Sequence, residues 1–570
     1  MNRTVLTTRI AFRIGTGALL LSLFASSAPT PLAAQLHEPS DTPARPPFYA
    51  IQNARIVTGT GPVIETGTVV IANGLIESVG PDAAIPPEAW VIDGAGLTVY
   101  PGLFDGLSQV GLEGQSQGGQ GAGGGGGGGN PFAQLASQEI STGPEDRPAT
   151  NSWVHAADLI DADADAIETW REAGFTSALL EPGDGIVTGQ GAVIDYAGSA
   201  QDMVVKSPAA LRITMSGAGG FRSYPGSLMG VIAYIKQLYL DAEHQRMYEA
   251  RYEADPRGQP RPTYDRALEP IQASIAGNWP TIMPANEVKE IRRVIELGRE
   301  TGAHAVVAGA FDAYDIAPEI AAAGVPVLVN LDWPDKDRNL DPEDEESLQS
   351  LRRRAYAPTT PAALEGAGAT WAFYSGGAGS PREALAGVRK AIDNGLSEDA
   401  ALRALTIAPA RIYGVDRIMG SVEQGKIANL VVTDGDLFSK DTKVRMVFVD
   451  GNKFEKPTEA RPTEAPAADM SGTWILSLNN QSEEATAELT MAEDGTLTGT
   501  IQGERGEQQI TDGWVSGNQF SITVSASMGP GRTVEVVYNG TFEGDSLEGT
   551  ASFGGRFTQE FTGTRPGGGQ

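Results

Sequence analysis

The sequence predicts an α/β chain: a (β/α)8 TIM-like barrel flanked by a split β-sandwich, with a C-terminal all-β barrel or sandwich. Three observations predict it. Residues 99–417 alternate short Val/Ile/Leu-rich runs with stretches whose apolar residues recur at helical spacing, the pattern of a parallel sheet with crossover helices. Short strand-like runs of similar texture lie on both sides of that region, over 48–98 and 418–455. Residues 469–565 alternate polar and apolar positions, with turns every 8 to 12 residues or so, as in a small all-β domain.

In chain order, residues 1–34 read as an export signal. Arg3, Arg9 and Arg13 precede an apolar run from Ile14 to Ala25, and Ala33-Ala34 offers a cleavage site. The expectation is an exported protein, periplasmic or secreted, with no transmembrane segment once the signal is removed. Residues 35–47, "QLHEPSDTPARPP", form a Pro-rich linker. "FYAIQNARIVTGTG", "ETGTVVIANGLIESVG" and "AWVIDGAGLTVYPG" read as successive strands, with Asn73-Gly74 as a hairpin turn. "PGLFD" opens the central region. "GFTSALLEP", "ALRITM", "WPTIMPAN", "AHAVVAGA", "VPVLVNLDW" and "TWAFYSGG" follow as buried strands. The helical stretches between them include "NEVKEIRRVIELGRETG" and "SPREALAGVRKAIDNG". "ALRALTIAPARIYGV" reads as one closing helix and a stop. The glycine-rich run 118–130 reads as a disordered insertion at the barrel mouth; no Lys-Ser or Lys-Thr follows it, so it is not a phosphate cradle. "GSVEQGKIANLVVTDGD" and "VRMVFVDGNKFEK" return to strands that complete the first sheet. Residues 456–468 form a second linker.

Composition removes several function classes. The net charge is −30, which argues against nucleic acid as a partner. There are no cysteines, so disulfides, thiolate metal sites and cysteine nucleophiles are excluded. The chain has four histidines, His37, His155, His244 and His304. With so few, and with no serine in a G-x-S-x-G turn, a Ser-His-Asp triad is not expected. Asp161, Asp163, Asp165 and Glu172 sit at calcium-loop positions, but Ala166 stands where the loop needs glycine, so the string reads as the start of a helix.

The ordered set "PGLFD", "REAGFTSALLEPGDGIVTGQGAVI", "LSEDAALRALTIAPARIYGV" and "GSVEQGKIANLVV" resembles the amidohydrolase superfamily, the imidazolonepropionase- and dihydroorotase-like metal-dependent hydrolases, over roughly residues 48–455. The family usually has an acidic pair where Ile427 and Asn429 stand. The resemblance implies hydrolysis of C–N bonds in non-peptide amides, ureas or small peptides by water activated on zinc or another divalent metal. It also implies the ligands: an H-x-H pair after strand one, a bridging carboxylate or carboxylated lysine, histidines ending strands five and six, and an aspartate ending strand eight. This chain has Leu107 and Gln109 at the H-x-H positions. Pro284 and Asn286 stand at strand five, Gly309 at strand six, and Gly376 or Gly377 at strand eight. His304 lies in its strand but ~17 Å from the catalytic face at ~3.3 Å per residue.

A divalent ion needs several lone-pair donors and an open position for water. The residues call for no cofactor and provide no catalytic or metal-ligating set. The expectation is a degenerate site in a non-catalytic binding or scaffold homologue. Asp105, Gln109 and Asn286 are the candidate substrate-binding residues at the barrel mouth, although Asp105 belongs to a family pattern in which it usually has a structural role. The alternative is an active amidohydrolase with an unconventional carboxylate metal site drawn from Asp105, Asp195, Asp312 and Asp332. Partners expected are a small-molecule ligand and a homo-oligomer, or a heteromer with an active relative. The last domain is similar to small secreted β-barrels of the lipocalin type, which either hold an apolar ligand or are filled by their own side chains.

Overall fold

The computed structural model describes residues 48–112, 147–183, 185–215, 225–336, 346–440, 442–455, 464–478, 484–492, 494–503, 506–527, 533–553 and 557–566. The export signal, the first linker, the glycine-rich run and most of the second linker lie outside the described residues. Among the described residues no helix is long and apolar enough to cross a membrane.

Strands from both flanks of the central region build one mixed sheet. They are β1 (Phe48–Ile56), β2 (Ile64–Ala72), β3 (Leu75–Gly80), β4 (Trp90–Asp93) and β5 (Thr98–Pro101), joined later by β14 (Leu430–Thr433), β15 (Val444–Val449) and β16 (Asn452–Glu455). The join is antiparallel: Leu430 pairs with Pro101 and Thr433 with Thr98. The sheet forks at β1, which pairs with β4 through Tyr49–Gln52 and with β5 through Arg55 and Ile56. Tyr49, Ile51, Ile56, Val69, Ile71, Val99, Leu430 and Phe448 meet in its core. The β2–β3 turn is the one read from sequence: Asn73 and Gly74 have φ of 50° and 82°, the two positive values that a two-residue type I′ hairpin requires.

The central sheet has eight strands in sequence order: β6 (Leu103–Ser108), β7 (Phe175–Leu180), β8 (Val187–Asp195), β9 (Val204–Ile213), β10 (Pro280–Ala285), β11 (His304–Gly309), β12 (Val327–Asn330) and β13 (Trp371–Tyr374). It curls into a nearly closed TIM-like barrel. Phe104, Leu179, Ala210, Ile282, Val306, Leu328 and Ala372 fill its interior. Its outer face packs against the surrounding helices through residues such as Phe175, Ile235, Ile291, Val294, Val307, Phe373 and Val388.

One strand departs from the all-parallel expectation. β8 runs antiparallel to both β7 and β9. Only residues 181–186 separate it from β7, and a parallel crossover needs a dozen or more. The closing segment differs as well. It forms two short helices, Glu398–Ala404 and Ile407–Ile412, because Thr406 leaves helical geometry at φ −138°.

The helix Pro381–Asp393 illustrates how local chemistry sets boundaries. Ser380 is extended, and its Oγ accepts from the Glu383 N–H at 3.3 Å. Proline occupies the first helical turn, where its missing N–H costs nothing. Ser380→Ala is expected to lower barrel stability by about 1 kcal/mol, read as a small drop in the thermal midpoint with an unchanged circular dichroism spectrum.

The C-terminal strands are β17 (Gly472–Leu478), β18 (Glu484–Met491), β19 (Leu497–Gly503), β20 (Gly506–Ser516), β21 (Gln519–Ser527), β22 (Thr533–Glu543), β23 (Ser546–Phe553) and β24 (Phe557–Thr564). They form a closed antiparallel barrel in which β24 pairs back onto β17. Trp474, Phe520, Phe561, Leu489, Ile522 and Val536 are packed in its core. The Trp474 indole N–H donates to the Met470 carbonyl at 2.9 Å, so this large buried ring leaves no polar atom unpaired.

Candidate functional site: the barrel mouth

In a barrel of this type the C-terminal strand ends carry the functional side chains. Alternation along the strands specifies which residues face inward there. Leu179, Ala210, Ile282, Ala308, Leu328 and Ala372 are in the interior cluster. Two residues further on come Glu181, Arg212, Pro284, Asn330 and Tyr374, whereas Ala310 on β11 belongs to the outer cluster. Leu107 is also interior and buried.

The charged members of this layer meet. The Arg212 guanidinium contacts the Glu181 carboxylate; the side chains are 21% and 2% exposed. Burial lowers the Arg212 pKa. The Tyr374 phenol is raised, first by burial; the nearby charges of Arg212, Asp105 and Asp332 also act on it. Sequence reasoning missed both Glu181 and Arg212. The available signal was a charge at an inward position in an otherwise apolar run, in "ALLEP" and "ALRITM".

The candidate binding residues occupy three different settings. Asp105 is fully buried in β6, where its Oδ1 accepts the Ser375 N–H at 2.8 Å and the Leu107 N–H at 3.4 Å. It spans the seam between β6 and β13, the first and last strands of the sheet. Burial pushes its carboxyl up to about 6. Gln109 is exposed on the loop after β6. Asn286 follows β10, and its buried Oδ1 has no hydrogen-bond partner. A side-chain carbon on Gly309 would overlap that oxygen. In the same way, carbon on Gly376 would overlap the Asn330 amide, and carbon on Gly377 would approach the Asp332 carboxylate. The strand-six and strand-eight positions where the resemblance implies ligands are therefore glycines whose side-chain space is taken by polar groups from the neighbouring strand.

The carboxylates of the alternative reading do not converge. Asp195 ends the antiparallel β8 and pairs in register with Ser177 near the start of β7, so it lies at the end opposite the mouth. Asp312 is held by the Arg353 fork at 2.9 and 2.7 Å. Asp332 is exposed at the rim, raised by its partial burial and by the charge of Glu383. Among the described residues no three His, Cys, Asp or Glu side chains are grouped to hold a metal ion. His304 starts β11, exposed, in a cavity of about 610 Å³ at the end opposite the mouth. His244 is exposed on the helix Leu228–Ala254, and His155 is half-buried in a loop. The divalent metal implied by the resemblance does not fit this donor set, since such an ion requires several converging nitrogen or carboxylate donors with one position left open for water. The calcium-like string has no loop to wrap an ion, because a helix, Asp165–Glu172, occupies all of it after Ala164.

A family model described as "Amidohydrolase family" matches residues 230–454. The fold is similar to the crystal structure of an amidohydrolase from Thermotoga maritima MSB8, at 25% identity and a TM-score of 0.58, over 72% of this chain and 100% of that one. More distant likenesses are a phenylurea hydrolase B (18% identity, TM-score 0.43, 71% of this chain and 96% of that one) and a Xaa-Pro dipeptidase with bound methionine (15%, 0.42, 72% and 100%).

Proposed function

Because the chain belongs to the amidohydrolase superfamily, its mouth is where hydrolysis would occur, and we propose that it is an exported, non-catalytic member of that superfamily. It binds a small molecule at the mouth, or acts as a scaffold for an active relative. One arrangement carries the reading: an Arg212–Glu181 ion pair stands in the inward layer of the mouth, and the strand-six and strand-eight ligand positions are glycines at which a side chain would meet Asn286, Asn330 or Asp332. A guanidinium accepts no metal and cannot act as a base. The amides of Asn286 and Asn330 are neutral hydrogen-bonding groups, suited to recognition.

The test is metal analysis of the purified protein, with hydrolysis assays on amides, lactams and dipeptides, before and after chelation and with added zinc or manganese. The expected outcome is substoichiometric metal and turnover no faster than the protein-free control. Stoichiometric metal that leaves together with activity on chelation would overturn the reading. Export is checked separately by N-terminal sequencing of the envelope fraction, which should begin after Ala34.

A further inference from the structure

The geometry points to Arg212 as the resident cation of the barrel mouth: its guanidinium permanently neutralises Glu181, in the part of the fold where a metal-bearing barrel would hold an exchangeable ion. The inference rests on the non-catalytic reading and extends it from what the mouth lacks to what replaces it.

Three observations carry it. First, Glu181 is only 2% exposed, and its carboxylate touches Arg212. A buried carboxylate needs a fixed positive charge or it takes up a proton. Second, the two residues come from different strand ends and face inward by the same alternation, each two positions beyond an interior residue, Leu179 and Ala210. Opposite charges brought together from two strand ends inside the barrel differ from exposed helix-surface pairs such as Arg246–Glu243 and Arg299–Glu296. Third, the side-chain space at the implied strand-six and strand-eight ligand positions is already taken. The Asn286, Asn330 and Asp332 side chains overlie Gly309, Gly376 and Gly377. Arginine suits the task because it stays charged when buried and is less strongly hydrated than lysine.

The test compares wild type, Arg212→Ala, Arg212→Lys, Glu181→Gln and the Arg212→Ala/Glu181→Gln double variant by thermal melts. Each is measured in buffer, with chelator, with manganese or zinc, and with millimolar methylguanidinium against sodium chloride of matched ionic strength. Wild type is expected to melt at one temperature in all four. Arg212→Ala leaves Glu181 buried and uncompensated, and is expected to melt about 3–5 °C lower, with part of the loss recovered by methylguanidinium. The double variant is expected to lose less than Arg212→Ala alone, because no orphaned charge remains. Arg212→Lys should lie between wild type and Arg212→Ala. If Arg212→Ala does not fold while the double variant does, the pairing is supported by that contrast.

Two outcomes overturn the inference. One is Arg212→Ala and the double variant melting alike with no response to methylguanidinium. The other is wild type stabilised by added metal. The second also removes the non-catalytic reading; the first removes this inference and leaves that reading resting on the glycines at the implied ligand positions.

Discussion

Asp195→Asn will stabilise the protein at about pH 8 and leave it unchanged near pH 4, where the wild-type carboxyl is already protonated. Asp195 is fully buried between the barrel and the mixed sheet. Its Oδ1 accepts from Ser177 Oγ at 2.7 Å and from Asn429 Nδ2 at 2.9 Å. Burial pushes its carboxyl up to about 7; the two hydrogen bonds oppose the shift and the charge of Asp450 adds to it. The folded state therefore holds this proton more tightly than the unfolded chain, where an aspartate titrates near 3.9. Stability from this group is complete below about pH 4 and is lost as pH rises towards 7. The window spans about three pH units at ~1.4 kcal/mol each, on the order of 4 kcal/mol. Asparagine keeps an acceptor oxygen for Ser177 and Asn429 but cannot ionise. Melting midpoints from pH 4 to 8 should fall less steeply in the variant. Parallel curves for the two proteins would remove the argument.

The same cluster accounts for Asn429, which stands where the family usually has an acid. Its amide nitrogen donates to Asp195 and to Ser177 Oγ, and its oxygen accepts the Asp450 N–H at 2.8 Å. A carboxylate there would face Asp195 without a donor.

Asp105→Ala is the second large effect. Among the described residues β6 and β13 share no backbone ladder, and the Asp105 carboxylate joins them by accepting the Ser375 N–H. Alanine leaves that donor and the Leu107 N–H without their acceptor inside the barrel. Buried donors without partners cost about 1–3 kcal/mol each, so a loss of about 3 kcal/mol or more is expected. Asp105→Asn retains the acceptor oxygen and should cost far less. It should also remove a second, smaller decline in stability between about pH 4 and 6, since the Asp105 carboxyl is likewise raised by burial. Hydrogen exchange at Ser375 and Leu107 separates the two variants: fast in alanine, protected in asparagine.

Much of the architecture was legible because it rests on local patterns. The helix Val288–Thr301 places Ile291, Val294 and Leu297 on one buried face and ends at Gly302 with φ 76°, as its sequence implies. The missed antiparallel β8 lies in "VTGQGAVID", whose residues are all buried. With both faces covered, the strand has no alternation to reveal it. The site was legible only in part. The scarcity of histidines, and the residues at the implied ligand positions, follow from residue types. Asp105, read as a candidate at the mouth, lies in the barrel seam with no exposed surface.

From the sequence alone came most of the strands and helices, with β8 and the split of the closing helix excepted, the composite sheet, the separate C-terminal domain and the scarcity of imidazoles, since each is a matter of residue type and short-range period. Tertiary structure alone decided that Glu181 meets Arg212, that Asn286 and Asn330 overlie Gly309 and Gly376, and that Asp195 lies far from the mouth. Those contacts join strands through the register and curvature of a closing sheet, and no local period along the chain encodes which side chains a barrel will bring face to face.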